Sequence, residues 1–224
     1  MTPAPSTVLS AHGVFKSWKS PAGAIPVLAG ISLSIGAGES VAITGCSGSG
    51  KSTLLHLLAG LTQPDAGRID FEGRPIDDAN GIKSLRRASA FVFQDAKLIP
   101  GLTIYANTCV PLEHRGVATA VQRRVVGALL ERVGLGDRRL HYPRQLSGGE
   151  LMRAAIARAL ISAPRIVFAD EPTGSLDDTT AQYIIELLLE FCGRGASLLV
   201  VTHNRELASR LQRRHHLTGG RLEA

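Results

Sequence analysis

Gly45-Cys46-Ser47-Gly48-Ser49-Gly50-Lys51-Ser52 is the stretch whose reading decides the fold. It follows the apolar run Val41-Ala42-Ile43-Thr44, which reads as a buried strand. It precedes Thr53-Leu54-Leu55-His56-Leu57-Leu58-Ala59, which reads as a helix. Strand, glycine-rich turn, Gly-Lys-Ser and helix is the layout of a phosphate-binding loop. Glycines let backbone N–H groups converge on phosphate oxygens with no Cβ in the way. The helix points its unpaired N–H groups and positive dipole end at the same anion. Lys51 can reach the outer phosphates as a mobile point charge, and the Ser52 hydroxyl suits Mg2+, a hard ion that prefers oxygen.

Outside this loop, composition sets limits. The 224 residues suffice for one large α/β domain, and a 44% hydrophobic content supplies a full core. The net charge of +6 fits a bound polyanion such as ATP, a membrane-apposed surface or nucleic acid. The basic pairs Arg86-Arg87, Arg123-Arg124, Arg138-Arg139 and Arg213-Arg214 are scattered and lack interleaved aromatics. They read as solvated helix faces, and no nucleic-acid partner is expected. Cys46, Cys109 and Cys192 form neither a metal pattern nor a disulfide framework. Residues 1–10 lack the basic start and apolar segment of a secretory signal. No run approaches the roughly 20 apolar residues that span a bilayer. The expectation is a cytoplasmic protein that meets a membrane only through something else.

Upstream of the loop, residues 1–7 read as a frayed Pro/Ser/Thr-rich start. Val8 to Trp18 and Val27 to Ile35 read as strands joined by a Ser20-Pro21-Ala22-Gly23 turn, with Trp18 as a partly buried packing residue. Downstream, Arg68 to Gly73 is a strand and turn, Ile82 to Arg87 a short helix, and Ala90 to Phe93 a buried strand ending at Gln94. From Asp95 to about Pro164 the pattern turns helical, with Val121, Val125, Leu129 and Val133 as an amphipathic stripe. This span reads as a helical subdomain (about 95–164) inserted into one α/β domain whose core is 1–94 plus 165–224. Arg165 to Ala169 and Ser197 to Val201 are uniformly apolar, as strands covered on both faces should be. Asp177 or Asp178 can cap a helix running to about Cys192. The tail from about Arg213 holds a Gly219-Gly220 turn.

Polar residues then fall just past the carboxyl ends of parallel strands: the loop after Ile43, Gln94, Asp170 and Glu171 after Ala169, and His203 after Val201. In an open α/β sheet that end is where ligands bind. Asp170, closing an apolar run, suits Mg2+; Glu171 could polarise an attacking water; Gln94 could contact either.

With Leu146-Ser147-Gly148-Gly149-Glu150 added, the set resembles the nucleotide-binding domain of ABC transporters over nearly the whole chain. The resemblance implies a P-loop NTPase fold: a RecA-like mixed α/β sheet, an antiparallel β subdomain and an inserted α-helical subdomain. It implies an ATPase with ATP and Mg2+ as cofactors. Position by position, Trp18 matches the aromatic that stacks on adenine, and Gly45 to Thr53 match Walker A (Gly45, Cys46, Ser47, Gly48, Ser49, Gly50, Lys51, Ser52, Thr53). Gln94 matches the Q-loop. Ile166 to Asp170 match Walker B, and Glu171 matches the catalytic glutamate. Ser147, Gly148, Gly149 and Glu150 match the signature, Ser175-Leu176-Asp177 the D-loop and His203 the switch histidine. Ser147 to Gly149 open a helix and so form a second anion site. Two chains head to tail would sandwich ATP between Lys51 of one and Ser147 of the other, which implies an ATP-dependent homodimer.

Phe91-Val92-Phe93-Gln94, Leu98-Ile99-Pro100 and Ala169 to Asp177 are similar to the MacB/LolD group. Its ATPases serve lipoprotein release, macrolide or peptide export, or cell-envelope signalling. That implies an integral permease resembling FtsX or MacB and a place at the cytoplasmic face of the inner membrane. A small-solute importer ATPase and a mechanotransmission ATPase of the cell-division type stay open. A soluble ABC ATPase acting on DNA or ribosomes would usually carry two nucleotide domains, coiled coils or zinc modules, and none is found here. Glu150 replaces the commoner Gln, Ala106 stands where an acid is usual before Asn107, and Leu151-Met152 stand where polar residues are usual. The last pair is expected to add apolar surface near the signature.

Overall fold

The computed structural model describes residues 6–21, 23–174 and 176–223. The chain starts with a long hairpin, β1 (Thr7–Ser20) and β2 (Gly23–Gly36), followed by β3 (Ser40–Thr44) and α1 (Lys51–Leu58). Then come β4 (Ala66–Phe71), β5 (Arg74–Pro75), α2 (Ala79–Ala88) and β6 (Ser89–Val92). Three helices follow, α3 (Ile104–Glu113), α4 (Thr119–Arg132) and α5 (Gly148–Leu160), before β7 (Ile166–Asp170). The chain closes with α6 (Asp178–Cys192), β8 (Ser197–Val201), α7 (Arg205–Ser209), β9 (Arg213–Thr218) and β10 (Arg221–Glu223). Residues 1–5 lie outside the described residues, but Ser6 and Thr7 are not frayed: the Ser6 carbonyl accepts from Ala37 N, and Thr7 pairs with Gly36.

Two sheets carry the fold. One is antiparallel, in the order β2-β1-β4-β5; the other runs β10-β9-β3-β8-β7-β6, parallel from β9 to β6 with an antiparallel edge at β10. The expected α/β fold with a mixed sheet, an antiparallel sheet and helices is therefore present. The central strands are apolar throughout because each serves two cores. On β7, Ile166 and Phe168 join the core that faces the antiparallel sheet and α1. Val167 and Ala169 point the other way, into the core formed with α3 to α6. Leu199 and Val201 divide from Leu198 and Val200 on β8 in the same manner. Burial on both faces fixes register, since a one-residue slip would exchange the two sets.

Two expectations on the helices are corrected. The buried residues of α4 are Gln122, Val126 and Leu130, continued by Val133, whereas Val121 is exposed. Steps of four, four and three total 11 residues, three turns at 3.6 per turn, whereas repeated steps of four drift around the helix. Met152 adds no surface near the signature: it is buried in the helical core, and only Leu151 is partly exposed. Trp18 is not a packing residue either, being 47% exposed at the hairpin tip. The tail is more ordered than a turn. The β9–β10 hairpin adds two strands beside β3, with α7 before it.

The α4 correction is testable by chemical denaturation. Leu130→Ala should cost about 2–5 kcal/mol, the range for a leucine removed from a closed core. Val121→Ala should stay within about 0.5 kcal/mol. Equal losses would restore the face centred on Val121.

Candidate nucleotide-binding site

Strand β3 enters the phosphate loop with Val41, Ala42 and Ile43 fully buried, so the loop is anchored in rigid core. Gly45 is required by close approach. A Cβ there would lie 2.5 Å from the Leu217 carbonyl oxygen, where β9 passes behind the loop. Gly50 is required by conformation and space: φ is +99°, and a Cβ would meet a Val27 methyl at 2.8 Å. Helix α1 then starts at Lys51 with its first N–H groups facing into the loop. The Lys51 ammonium donates to the Gly45 and Cys46 carbonyls, both at 2.9 Å, so the charge is held inside the curve. The Ser49 hydroxyl is buried without a partner beside Gly45.

The opposite wall comes from strand ends. Ser52 Oγ donates to Asp170 Oδ1 at 3.1 Å. Burial pushes the Asp170 carboxyl up, and the Ser52 hydrogen bond and the nearby His56 and Lys51 pull it partly back. Glu171 follows at φ +45°, an uncommon conformation for a side-chain-bearing residue. Its amide donates to Val201 O, which ties the turn to β8. Its carboxylate accepts from the Thr202 hydroxyl at 2.9 Å and from His203 N at 3.0 and 3.2 Å, and the His203 ring Nδ1 lies 2.9 Å away. Gln94, in the turn after β6, is exposed and faces the same space. Together with Val27, residues of the loop from Gly45 to Thr53, Gln94, Glu171 and His203 enclose a cleft of about 690 Å³. That is ample for a nucleotide, and its donors include backbone N–H groups, the Lys51 ammonium and the hydroxyls of Ser47, Ser52 and Thr53.

Residues 28–174 match the ABC transporter family. The chain belongs to that family. This ABC ATPase is 43% identical over 217 residues to the lipoprotein-releasing system ATP-binding protein LolD of Hydrogenovibrio crunogenus, covering 95% of this chain and 94% of that protein. It is 41% identical over 221 residues to the macrolide export ATP-binding/permease protein MacB of Marinobacter nauticus, covering 97% of this chain but 34% of that longer protein. Its fold superposes with a TM-score of 0.90 on the ATP-binding cassette MJ0796 in a dimeric post-hydrolysis state bound to ADP and Pi, at 34% identity, covering 96% and 97% of the two chains. Binding and hydrolysis of ATP follow from this membership and fit the cleft.

The residues expected to act together divide into two groups. Most of the loop (not Ser49), Gln94, Glu171 and His203 share the cleft; Asp170 reaches it through Ser52. The signature does not line it. Ser147 caps α5, its hydroxyl accepting from Glu150 N at 3.3 Å, while Glu150 Oε2 accepts from Ser147 N at 2.9 Å. Gly148 and Gly149 form the first turn of α5. Trp18 also stands outside the cleft lining, its ring covered by the Lys16 ammonium 5.1 Å from the centroid. Asp177 caps α6 through a 3.0 Å bond from Thr180 N, which holds its carboxyl below the usual range. Ser175 lies outside the described residues.

Three features escape sequence reading. Val27 and the Leu217 carbonyl shape the loop from distant strands. Asn107 is fully buried and clasps the segment after Gln94: its Oδ1 accepts from Ile99 N, and its Nδ2 donates to the carbonyls of Ile99, Leu102 and Thr103. Ala106, where an acid is usual, donates its amide to Thr103 Oγ1 at 3.2 Å. Thr202, buried behind Glu171, looked like the end of a strand.

Glu150 offers a pH test. Its bond from Ser147 N, then that from Arg138, lower its pKa to about 2 from an ordinary 4.5. A carboxylate lowered on folding stabilises the fold above pH 4.5 and loses that contribution as pH falls toward 2. The stability gap between the protein and Glu150→Gln should therefore narrow across that window, and carboxyl-carbon NMR should give Glu150 the lowest glutamate midpoint. A midpoint above 4 would contradict the capping geometry.

Proposed function

We propose that this chain is the ATP-hydrolysing subunit of a membrane transporter of the lipoprotein-release or macrolide-export type. In this reading it works as a head-to-tail homodimer at the cytoplasmic face of the inner membrane, bound to an integral permease resembling FtsX or MacB. The observation that carries the dimer is the absence of Ser147 to Glu150 from the cleft of their own chain. A pre-capped helix N-terminus that cannot reach its own nucleotide is suited to a second molecule's, and MJ0796 is dimeric in the solved structure. The relatives named LolD and MacB support the transporter type. Among the described residues no helix is long and apolar enough to cross a membrane, which fits a separate permease.

The residues have divided roles. Lys51 and the loop amides neutralise the phosphates, and α1 adds its dipole. Glu171 orients the attacking water and accepts its proton as the water oxygen bonds the terminal phosphorus and the bridging oxygen leaves with ADP. His203 contacts the terminal phosphate, and Gln94 links the cleft to the helical span that follows it. Ser52, Asp170 and Gln94 form an oxygen-only donor set that suits Mg2+. A buried carboxylate with a raised pKa is relieved by a cation, so the fit is good. Among the described residues no group of three His, Cys, Asp or Glu side chains could hold a metal alone, so phosphate and water oxygens would complete the shell. Mg2+ there would neutralise charge on the phosphates.

Glu171→Gln should keep nucleotide affinity, lower turnover by about 10²–10⁴-fold and trap an ATP-bound dimer in size-exclusion chromatography. Full ATPase activity would remove Glu171 from its role. Ser147→Arg should abolish hydrolysis and ATP-driven dimerisation while leaving nucleotide binding to the monomer intact. Turnover and dimerisation in that variant would refute the sandwich.

A further inference from the structure

We propose that Thr202 is the positioning residue for Glu171: its buried hydroxyl holds the carboxylate in place independently of the exposed His203 ring. This rests on the reading that Glu171 activates the attacking water.

The Glu171 carboxylate has three neighbours that donate or sit within hydrogen-bond reach, and they differ in mobility. The His203 ring is the least anchored, with a side chain 66% exposed. Its Nδ1 lies 2.9 Å from Glu171 Oε1, which leaves Nε2 as the ring nitrogen for the terminal phosphate, and so exposed a ring cannot by itself fix the carboxylate. The other two donors, the Thr202 hydroxyl and the His203 amide, belong to the end of β8. Thr202 is fully buried, and its amide donates to Ile43 O at 3.0 Å, on the strand that feeds the phosphate loop. Its hydroxyl is therefore fixed relative to the phosphates.

The direction of that hydroxyl is also set. Asn204 N donates to Thr202 Oγ1 at 3.0 Å. Asn204 cannot move freely to release it, because its side chain caps α7 by accepting from Leu207 N at 3.0 Å. With a lone pair of Oγ1 committed to Asn204, the single hydroxyl proton is aimed at Glu171 Oε2, 2.9 Å away. Glu171 needs such a holder. Its backbone sits in the left-handed region, where a side-chain-bearing residue persists only if its surroundings hold it. A carboxylate misplaced by about 1 Å can cost on the order of 10²-fold in rate.

The test is steady-state ATPase kinetics of the purified chain, or of its complex with the permease. Thr202→Val, which keeps the shape and removes the donor, should lower kcat at least about tenfold, equivalent to about 1.4 kcal/mol of barrier, with KM for ATP within about twofold. Thr202→Ser should restore most of kcat, because the hydroxyl returns and only a methyl is lost. Thr202→Val added to Glu171→Gln should lower turnover no further, since Thr202 acts through that carboxylate. Wild-type kcat in Thr202→Val, a serine variant as slow as the valine one, or an additive loss in the double variant would each overturn the assignment. If Thr202→Val fails to bind nucleotide, Thr202→Cys serves in its place: a weak thiol donor should give a kcat between threonine and a missing donor, and an unchanged kcat would overturn the idea. If Glu171→Gln itself hydrolyses ATP at full rate, the failure lies with the role of Glu171 and not with Thr202 alone.

Discussion

The structure depends on one constraint: backbone N–H groups must be held in a fixed ring around an anion. Amides on a mobile loop would have to be ordered each time a phosphate arrived, and that ordering would subtract from binding. Here the ring hangs from β3, which lies between β9 and β8 in the parallel sheet with both faces covered. The loop is pressed against the Leu217 carbonyl on one side and Val27 on another, so Gly45 and Gly50 leave no room for a side chain. The same crowding curls Lys51 into the loop, where it meets the Gly45 and Cys46 carbonyls.

Chemistry is then added at the ends of neighbouring strands. β7 delivers Asp170 to Ser52, and β8 delivers Thr202 and His203 to Glu171. β6 delivers Gln94, whose following segment is clasped by buried Asn107. These groups stand at the ends of adjacent strands of one sheet, so the register of that sheet sets their spacing. At the start of α5, Ser147 and Glu150 satisfy each other's amides, yet neither lines the cleft of its own chain. That separation of the capped helix start from the cleft is why the chain is proposed to work in pairs.

The fold was largely legible because its strongest signals are local. Uniformly apolar strands, a glycine-rich turn and a helix start announce themselves within ten residues. The stripe on α4 was misplaced by one position because steps of exactly four imitate helical periodicity for two turns before they drift off the face. Met152 was taken for surface because a hydrophobic residue beside a functional motif gives no sign of which way it points. The β9–β10 hairpin was hidden by Arg213-Arg214-His215-His216, polar residues that suit a strand near an edge as well as a tail.

By itself the sequence determined the ligand class and nominated the groups to meet it, since Gly45 to Ser52, Asp170-Glu171 and Ser147 to Glu150 carry their chemistry in short runs. Tertiary structure decided the distances between them and what else lines the cleft. It put Gln94, Glu171 and His203 on one wall with Val27, which no motif nominates, and left the signature and Trp18 outside that lining. It also set the hydrogen bonds of Thr202 to Glu171 and of Asn107 to the segment after Gln94. The physical reason is that a hydrogen bond from Thr202 to Glu171 spans 31 residues of chain. Its length and direction are set by the pairing of β7 with β8, a long-range register that no local pattern encodes.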